Sequence, residues 1–148
     1  MKTFQIGDLL RLRKNQRFAY IYDETGFVAD NRKAMFHDED NTMFPDNDMR
    51  MIFFTKGVLE TVKKLGWTPD IIHCHGWFTS LMPLYVKQLY KRDPHFADTK
   101  IVTSLYEDVF DGTLDNKVAQ KISFDGISSE QQDKFMRQFT LHYQRGGG

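Results

Sequence analysis

The sequence predicts an α/β fold, a three-layer arrangement with a parallel sheet at its centre, and three observations predict it. Residues 18–22 (FAYIY), 71–74 (IIHC) and 100–105 (KIVTSL) are short runs rich in apolar, aromatic or β-branched side chains, the composition of buried strands. Residues 46–65 and 78–90 carry apolar side chains at helical spacing and lie between those runs. Strand, helix, strand, helix, strand is the order of a parallel sheet with right-handed crossovers.

A chain of 148 residues is one ordinary domain by size, and 41% hydrophobic residues with 13 Phe can fill a core. Twenty basic residues balance twenty acidic ones, which argues against general affinity for nucleic acid or for an anionic membrane. One cysteine, Cys74, excludes an internal disulfide and suits a reducing compartment. No apolar run approaches the roughly 20 residues of a membrane helix. Lys2 is followed by no apolar signal core, so a cytoplasmic protein is expected.

Residues 1–17 hold five basic residues, Lys2, Arg11, Arg13, Lys14 and Arg17, with Leu9, Leu10 and Leu12 among them. They read as a solvated lead-in to the first strand; a basic amphipathic partner or membrane-surface segment is the alternative. Residues 23–26 are turn chemistry. From residue 27 to 45 the chain reads as an irregular loop anchored by Phe36, Met43 and Phe44. Its acidic group Asp38, Glu39 and Asp40 lacks the spacing and glycine of a calcium loop and reads as a solvated face.

The helix over 46–65 opens with Asp46, Asn47 and Asp48 as cap and first-turn charge. Its spacing predicts a buried stripe of Met49, Ile52, Phe53, Leu59, Val62 and Leu65. Gly66 is placed to stop it. Arg50 and Lys56 read as solvated helix charges, with a ligand-facing role as the alternative. The helix over 78–90 is expected to bury Leu81, Met82, Tyr85 and Leu89, and Pro83 implies either a kink or a later start. Residues 118–124 fit a short strand or a short helix. Ser128 and Gln131 have the spacing of a capping box, opening a helix to about residue 143. Gly146, Gly147 and Gly148 form a glycine tail.

Chemistry is expected at one corner. His73 and His75 share a strand face and Cys74 takes the other. Two histidines do not make a metal site, so no metal is assigned, and His73 reads as a core histidine. His75, Gly76 and Trp77 lie beyond the strand's carboxyl end, where open α/β sheets bind ligands. Gly76 permits close approach, and the free N–H groups opening the next helix favour an anion. The alternative is that Gly76 is a tight turn and Trp77 a core plug. There is no glycine-rich dinucleotide fingerprint, no P-loop and no nucleophile elbow. No catalytic residue is singled out and no cofactor is assigned.

At this corner the chain resembles a known family. Asp46-Asn47 with Arg50, then Pro69-Asp70-Ile71-Ile72-His73 followed by His75 and Trp77, then the strand from Lys100 to Thr103, are similar to the N-terminal catalytic domain of bacterial glycogen and starch synthases. The resemblance implies a partial Rossmann-like domain of a two-domain glycosyltransferase, with residues 18–126 forming that part. Residues 1–17 and 127–145 flank it, and 146–148 form the tail. It implies glucosyl transfer from ADP-glucose to an α-1,4-glucan, with His75, Gly76, Trp77 and Tyr106 as substrate-binding positions. The departures are specific. The family has aspartate where this chain has Gly76, and two polar residues where it has Leu105 and Tyr106. The family's K-x-G-G donor loop has no counterpart, and 148 residues cannot hold both domains. Turnover by this chain alone is therefore not expected. A non-catalytic module binding glucan or nucleotide is the alternative, and a bare strand edge points to self-association or a complementing chain.

Overall fold

The computed structural model describes residues 36–106 and 116–143. They belong to two compact units, Met1–Phe44 and Pro45–Gly148. The predicted strand at 18–22 and the basic lead-in lie outside the described residues. In the first unit, residues 36–44 form a tight hairpin rather than an irregular loop. His37 and Met43 bridge antiparallel, and Phe44 N–H donates to Phe36 O at 3.0 Å. Asp38 makes the turn: its carboxylate accepts from the N–H groups of Asp40 (3.0 Å) and Thr42 (2.8 Å). The exposed acidic group is thus turn chemistry.

The second unit runs α1 (Asn47–Lys64), β1 (Ile71–His75), a 3₁₀ turn (Trp77–Thr79), α2 (Leu81–Leu84), a π-helical turn (Tyr85–Leu89), β2 (Lys100–Ser104), α3 (Asn116–Ser123) and α4 (Ser129–Tyr143). The stretch at 118–124 that fits strand or helix is the helix α3. β1 and β2 pair in parallel, with Ile71 opposite Lys100 and His75 opposite Ser104. Paired residues share a face. Ile72, Cys74, Ile101 and Thr103 point to the side of α2 and α4, and Cys74 is 2% exposed. His73, His75 and Val102 point the other way and are exposed. The described residues therefore make an α/β unit, a two-stranded parallel sheet with helices. No helix among them is long and apolar enough to cross a membrane.

α1 ends as the sequence implies. Gly66 has φ 64°, its N–H donates to Lys63 O (2.9 Å), and Trp67 N–H donates to Val62 O (3.1 Å). That pair of bonds satisfies the last carbonyls of the helix. The buried face is rotated from the expected stripe. Met51, Ile52, Thr55, Leu59 and Val62 are buried, while Met49, Phe53 and Leu65 are about half exposed. A helix touching partners on two sides hides a face that apolar count alone does not locate. Arg50 is likewise not a solvated charge: it is buried and donates to Asn47 Oδ1. Lys56 stays partly solvated but pairs with Asp125 at 2.5 Å. Asp46, the N-cap residue, makes no side-chain cap hydrogen bond.

The second helix starts late. Leu81 begins α2, so Pro83 falls in the first turn, where its missing N–H costs nothing. The following turn widens, with Tyr90 N–H donating to Tyr85 O at 3.0 Å. The widening buries Val86 and leaves Leu89 38% exposed. In α4, Gln131 does not close a capping box. Its amide donates to Gln88 Oε1 at 2.5 Å and ties α4 to the π turn.

The core lies among α1, the α2–π segment, α3 and α4, with Met51, Leu59, Leu81, Tyr85, Ile122 and Phe139 almost wholly buried. Polar ties cross it. Asp125, between α3 and α4, accepts from Lys56 of α1 and from the Tyr85 hydroxyl at 2.7 Å. Burial, then the Asp125 hydrogen bond, pushes the Tyr85 phenol up. Lys121 pairs with Asp48, and the Tyr90 hydroxyl donates to Glu60 at 2.6 Å. Lys63 reaches Asp93 at 2.9 Å, and Asp93 also faces His95.

Two outcomes follow from these ties. Asp125→Ala strands the buried Tyr85 hydroxyl and should cost about 1–3 kcal/mol in urea unfolding, more than Lys56→Met, whose side chain is partly solvated. Asp93 titrates at about 2, held below the ordinary 3.8 chiefly by the Lys63 hydrogen bond. Its lowered value contributes stability above the ordinary value, and that stability is lost as pH falls through about 2. Melting curves across this acid limb should therefore be shallower for Asp93→Asn than for the parent chain.

Candidate functional site

β1 runs into the corner at Gly76, whose φ of 67° and ψ of −178° lie in a region essentially reserved for glycine. There the chain leaves the strand while Gly76 N–H still donates to Ser104 O at 3.2 Å, extending the ladder by one step. Thr79 seals the turn. Its hydroxyl is within hydrogen-bond distance of two acceptors, His75 O (3.0 Å) and Gly76 O (3.2 Å). The sequence reading missed this role, although a threonine three residues past a glycine corner is the signal for it.

The outward face at the strand ends carries a row of polar side chains. His75 Nδ1 and the Tyr106 hydroxyl are hydrogen-bonded at 2.6 Å, with the rings 5.9 Å apart and nearly parallel. His73 Nε2 and Ser104 Oγ are hydrogen-bonded at 2.8 Å. The two imidazole rings are 4.0 Å apart. All four side chains sit on one side of the sheet because residues two apart on a strand share a face. Ser104 was not anticipated, and strand alternation from Tyr106 would have found it. His73 is an exposed member of this row, not a core histidine. Hydroxyl and imidazole groups in such a row can exchange hydrogen bonds with a polyhydroxyl or phosphate-bearing ligand.

The four predicted positions divide. His75 and Tyr106 are exposed and in contact, whereas Gly76 and Trp77 are buried. Trp77 is 4% exposed and meets Phe78 edge-on at 5.4 Å. Phe78 in turn contacts Phe54 at 5.5 Å and lies under the Arg50 guanidinium at 5.9 Å. The corner is thus braced from behind by α1. Cys74 lies on the inner face, where burial pushes its thiol up to about 11, so it holds almost no thiolate at neutral pH. Among the described residues no group of three or more His, Cys, Asp or Glu side chains could hold a metal ion.

Comparison with known proteins agrees on one family. The profile of the starch synthase catalytic domain matches residues 2–147. A glycogen synthase of Chlorobium limicola is 40% identical over 111 residues, covering 74% of this chain and 22% of that protein. One from Clostridium perfringens is 35% identical over 101 residues, 68% of this chain and 21% of its own length. One from Vibrio parahaemolyticus is 43% identical over 84 residues, 57% of this chain and 17% of its own. No solved structure matches. The chain thus spans about a fifth of the length of these relatives. An α/β unit whose strand-end corner carries the residues on which the resemblance rests, matched by that profile along nearly all of its length, belongs to the starch synthase catalytic-domain family and is a glycogen/starch synthase-like domain.

Proposed function

We propose that this chain supplies part of the N-terminal catalytic domain of a glycosyltransferase that moves glucose from ADP-glucose to an α-1,4-glucan. The observation that carries the reading is the His75–Tyr106 pair, exposed at the carboxyl ends of two parallel strands, the place where open α/β sheets take ligands. The relatives' printed name, glycogen synthase, supports the substrate class. In this reading His75 and Tyr106 contact the sugar nucleotide or glucan. Gly76 and Trp77 act from behind by fixing the corner. In the same reading, residues 18–126 form part of a three-layer Rossmann-like domain. The second domain of the cleft lies outside these 148 residues, in the same or a separate chain, and the location is cytoplasmic.

Binding and turnover separate here. Preorganised contacts to the transferred group come from both sides of such a cleft, so one side retains binding without most of the transition-state stabilisation. The protein alone, given ADP-glucose and glycogen, should release no ADP above a heat-killed control. Titration with ADP-glucose or maltohexaose should move the His75 and Tyr106 resonances, and Tyr106→Phe should weaken that response. Titrations that leave both resonances unmoved would sink the binding role.

The family aspartate at the Gly76 position gives a second test. At this φ and ψ an aspartate incurs backbone strain of about 1–3 kcal/mol. Gly76→Asp should lower the unfolding midpoint and leave ADP release at background. A variant as stable as the parent would show that the corner tolerates a side chain.

A further inference from the structure

Two peptide planes meet at Gly76, and one side chain reaches both. The plane joining His75 to Gly76 donates its N–H to Ser104 O at 3.2 Å, and its C=O lies 3.0 Å from the Thr79 hydroxyl. The plane joining Gly76 to Trp77 has its C=O 3.2 Å from the same hydroxyl. The rotations between these planes are the φ and ψ of Gly76. Glycine permits the values found there, 67° and −178°, but does not hold them, because it has no side chain to restrict either rotation. The restraint comes from outside the residue.

The pairing with β2 supplies part of it. Ladder bonds at either end of β1, from Lys100 N–H to Asp70 O and from Gly76 N–H to Ser104 O, make residues 70, 72, 74 and 76 the ones that bond to β2. In a parallel pair the alternate residues point their N–H and C=O away from that neighbour. The His75 carbonyl therefore faces away from β2, and the Thr79 hydroxyl meets it there. Thr79 is itself anchored. It ends the 3₁₀ turn whose first two residues, Trp77 and Phe78, are buried, and Ser80 N–H closes that turn on Trp77 O at 3.1 Å. A hydroxyl fixed to the core thus holds the last peptide of the strand. The side chain next to that peptide is His75, whose Nδ1 meets the Tyr106 hydroxyl at 2.6 Å.

We propose that Thr79 is a positioning residue: its hydroxyl sets the Gly76 corner and so aims the His75 imidazole at Tyr106 and at the ligand. The consequence for binding rests on the reading of His75 and Tyr106 as contacts to the sugar nucleotide or glucan. The hold on His75 itself does not. Valine has nearly the shape of threonine without the hydroxyl, and serine keeps the hydroxyl without the methyl, so the two variants separate hydrogen bonding from packing.

The full chain, labelled with ¹³C and ¹⁵N, is measured first without ligand. Three-bond couplings should report one χ1 rotamer for His75 in the parent. Thr79→Val should average those couplings and move the His75 ring nitrogens, and Thr79→Ser should keep the parent pattern in both. Titration with ADP-glucose and with maltohexaose, followed on the Tyr106 resonances, should then be roughly fivefold weaker in Thr79→Val for whichever ligand the parent binds, and unchanged in Thr79→Ser. Should Thr79→Val not fold, Thr79→Ala, which also lacks the hydroxyl at this half-buried position, takes its place. Averaged couplings already in the parent, a single His75 rotamer or undiminished affinity without the hydroxyl, or the same averaging in Thr79→Ser would overturn the proposal. If the parent answers neither ligand, the sugar-binding reading falls, and the couplings of the free chain still decide whether Thr79 holds His75.

Discussion

The backbone of Gly76 is the constraint on which the site depends. Its φ of 67° with ψ of −178° lets the chain keep one more ladder bond to Ser104 O and still turn directly into the Trp77–Thr79 segment. A residue with a side chain resists that combination, and a gentler exit from the strand would move the helix away from the sheet. The corner in turn sets what lies on each side. His75 finishes the strand facing outward, and Trp77 enters the core at once. Ser104 and Tyr106, held in register by the same ladder, reach His73 and His75. One backbone conformation thus places an exposed polar row in front of an aromatic brace.

Behind the brace, stability rests on a few polar groups tying helices together through an otherwise apolar core. Asp125 is the clearest case: it sits at the junction of α3 and α4 and accepts from both α1 and the π turn. A carboxylate with two good donors is held more firmly than a surface pair, because little water competes for it. Asp48 with Lys121 and Glu60 with Tyr90 repeat the device at other contacts. The sheet has less support. It has two strands among the described residues, one face is covered by helices, and the other carries the His73–His75 row and exposed Val102.

Much of this was legible in the sequence, for identifiable reasons. Both described strands are dense in β-branched residues and bounded by turn residues, so they are found within a residue of their ends. Gly66 marks the end of α1 because only a left-handed residue makes those two closing bonds without strain. The outward position of His75 and the inward position of Cys74 follow from strand alternation. His73 was misread because alternation says which residues share a face and not which face is covered. The stripe on α1 was misplaced for a related reason. Met49, Phe53 and Leu65 are apolar at helical spacing, but the neighbours that would cover them are not at that side of the helix.

The sequence by itself determined α1, β1, β2 and α4, the corner at His75-Gly76-Trp77 and, through the residues around that corner, the family. These are local or patterned properties, encoded within a few residues of where they act. Tertiary structure decided which sheet face is buried, which charges are internal and which predicted site residues can touch a ligand. Arg50 and Lys56 look alike on a helical projection as solvated charges, yet Asn47 and Phe78 enclose one and Asp125 pairs with the other. Trp77 and Tyr106 look alike as aromatic binding positions, yet one is a brace in the core and the other is exposed beside His75. Burial depends on partners distant in the chain, and spacing along the sequence does not carry that information.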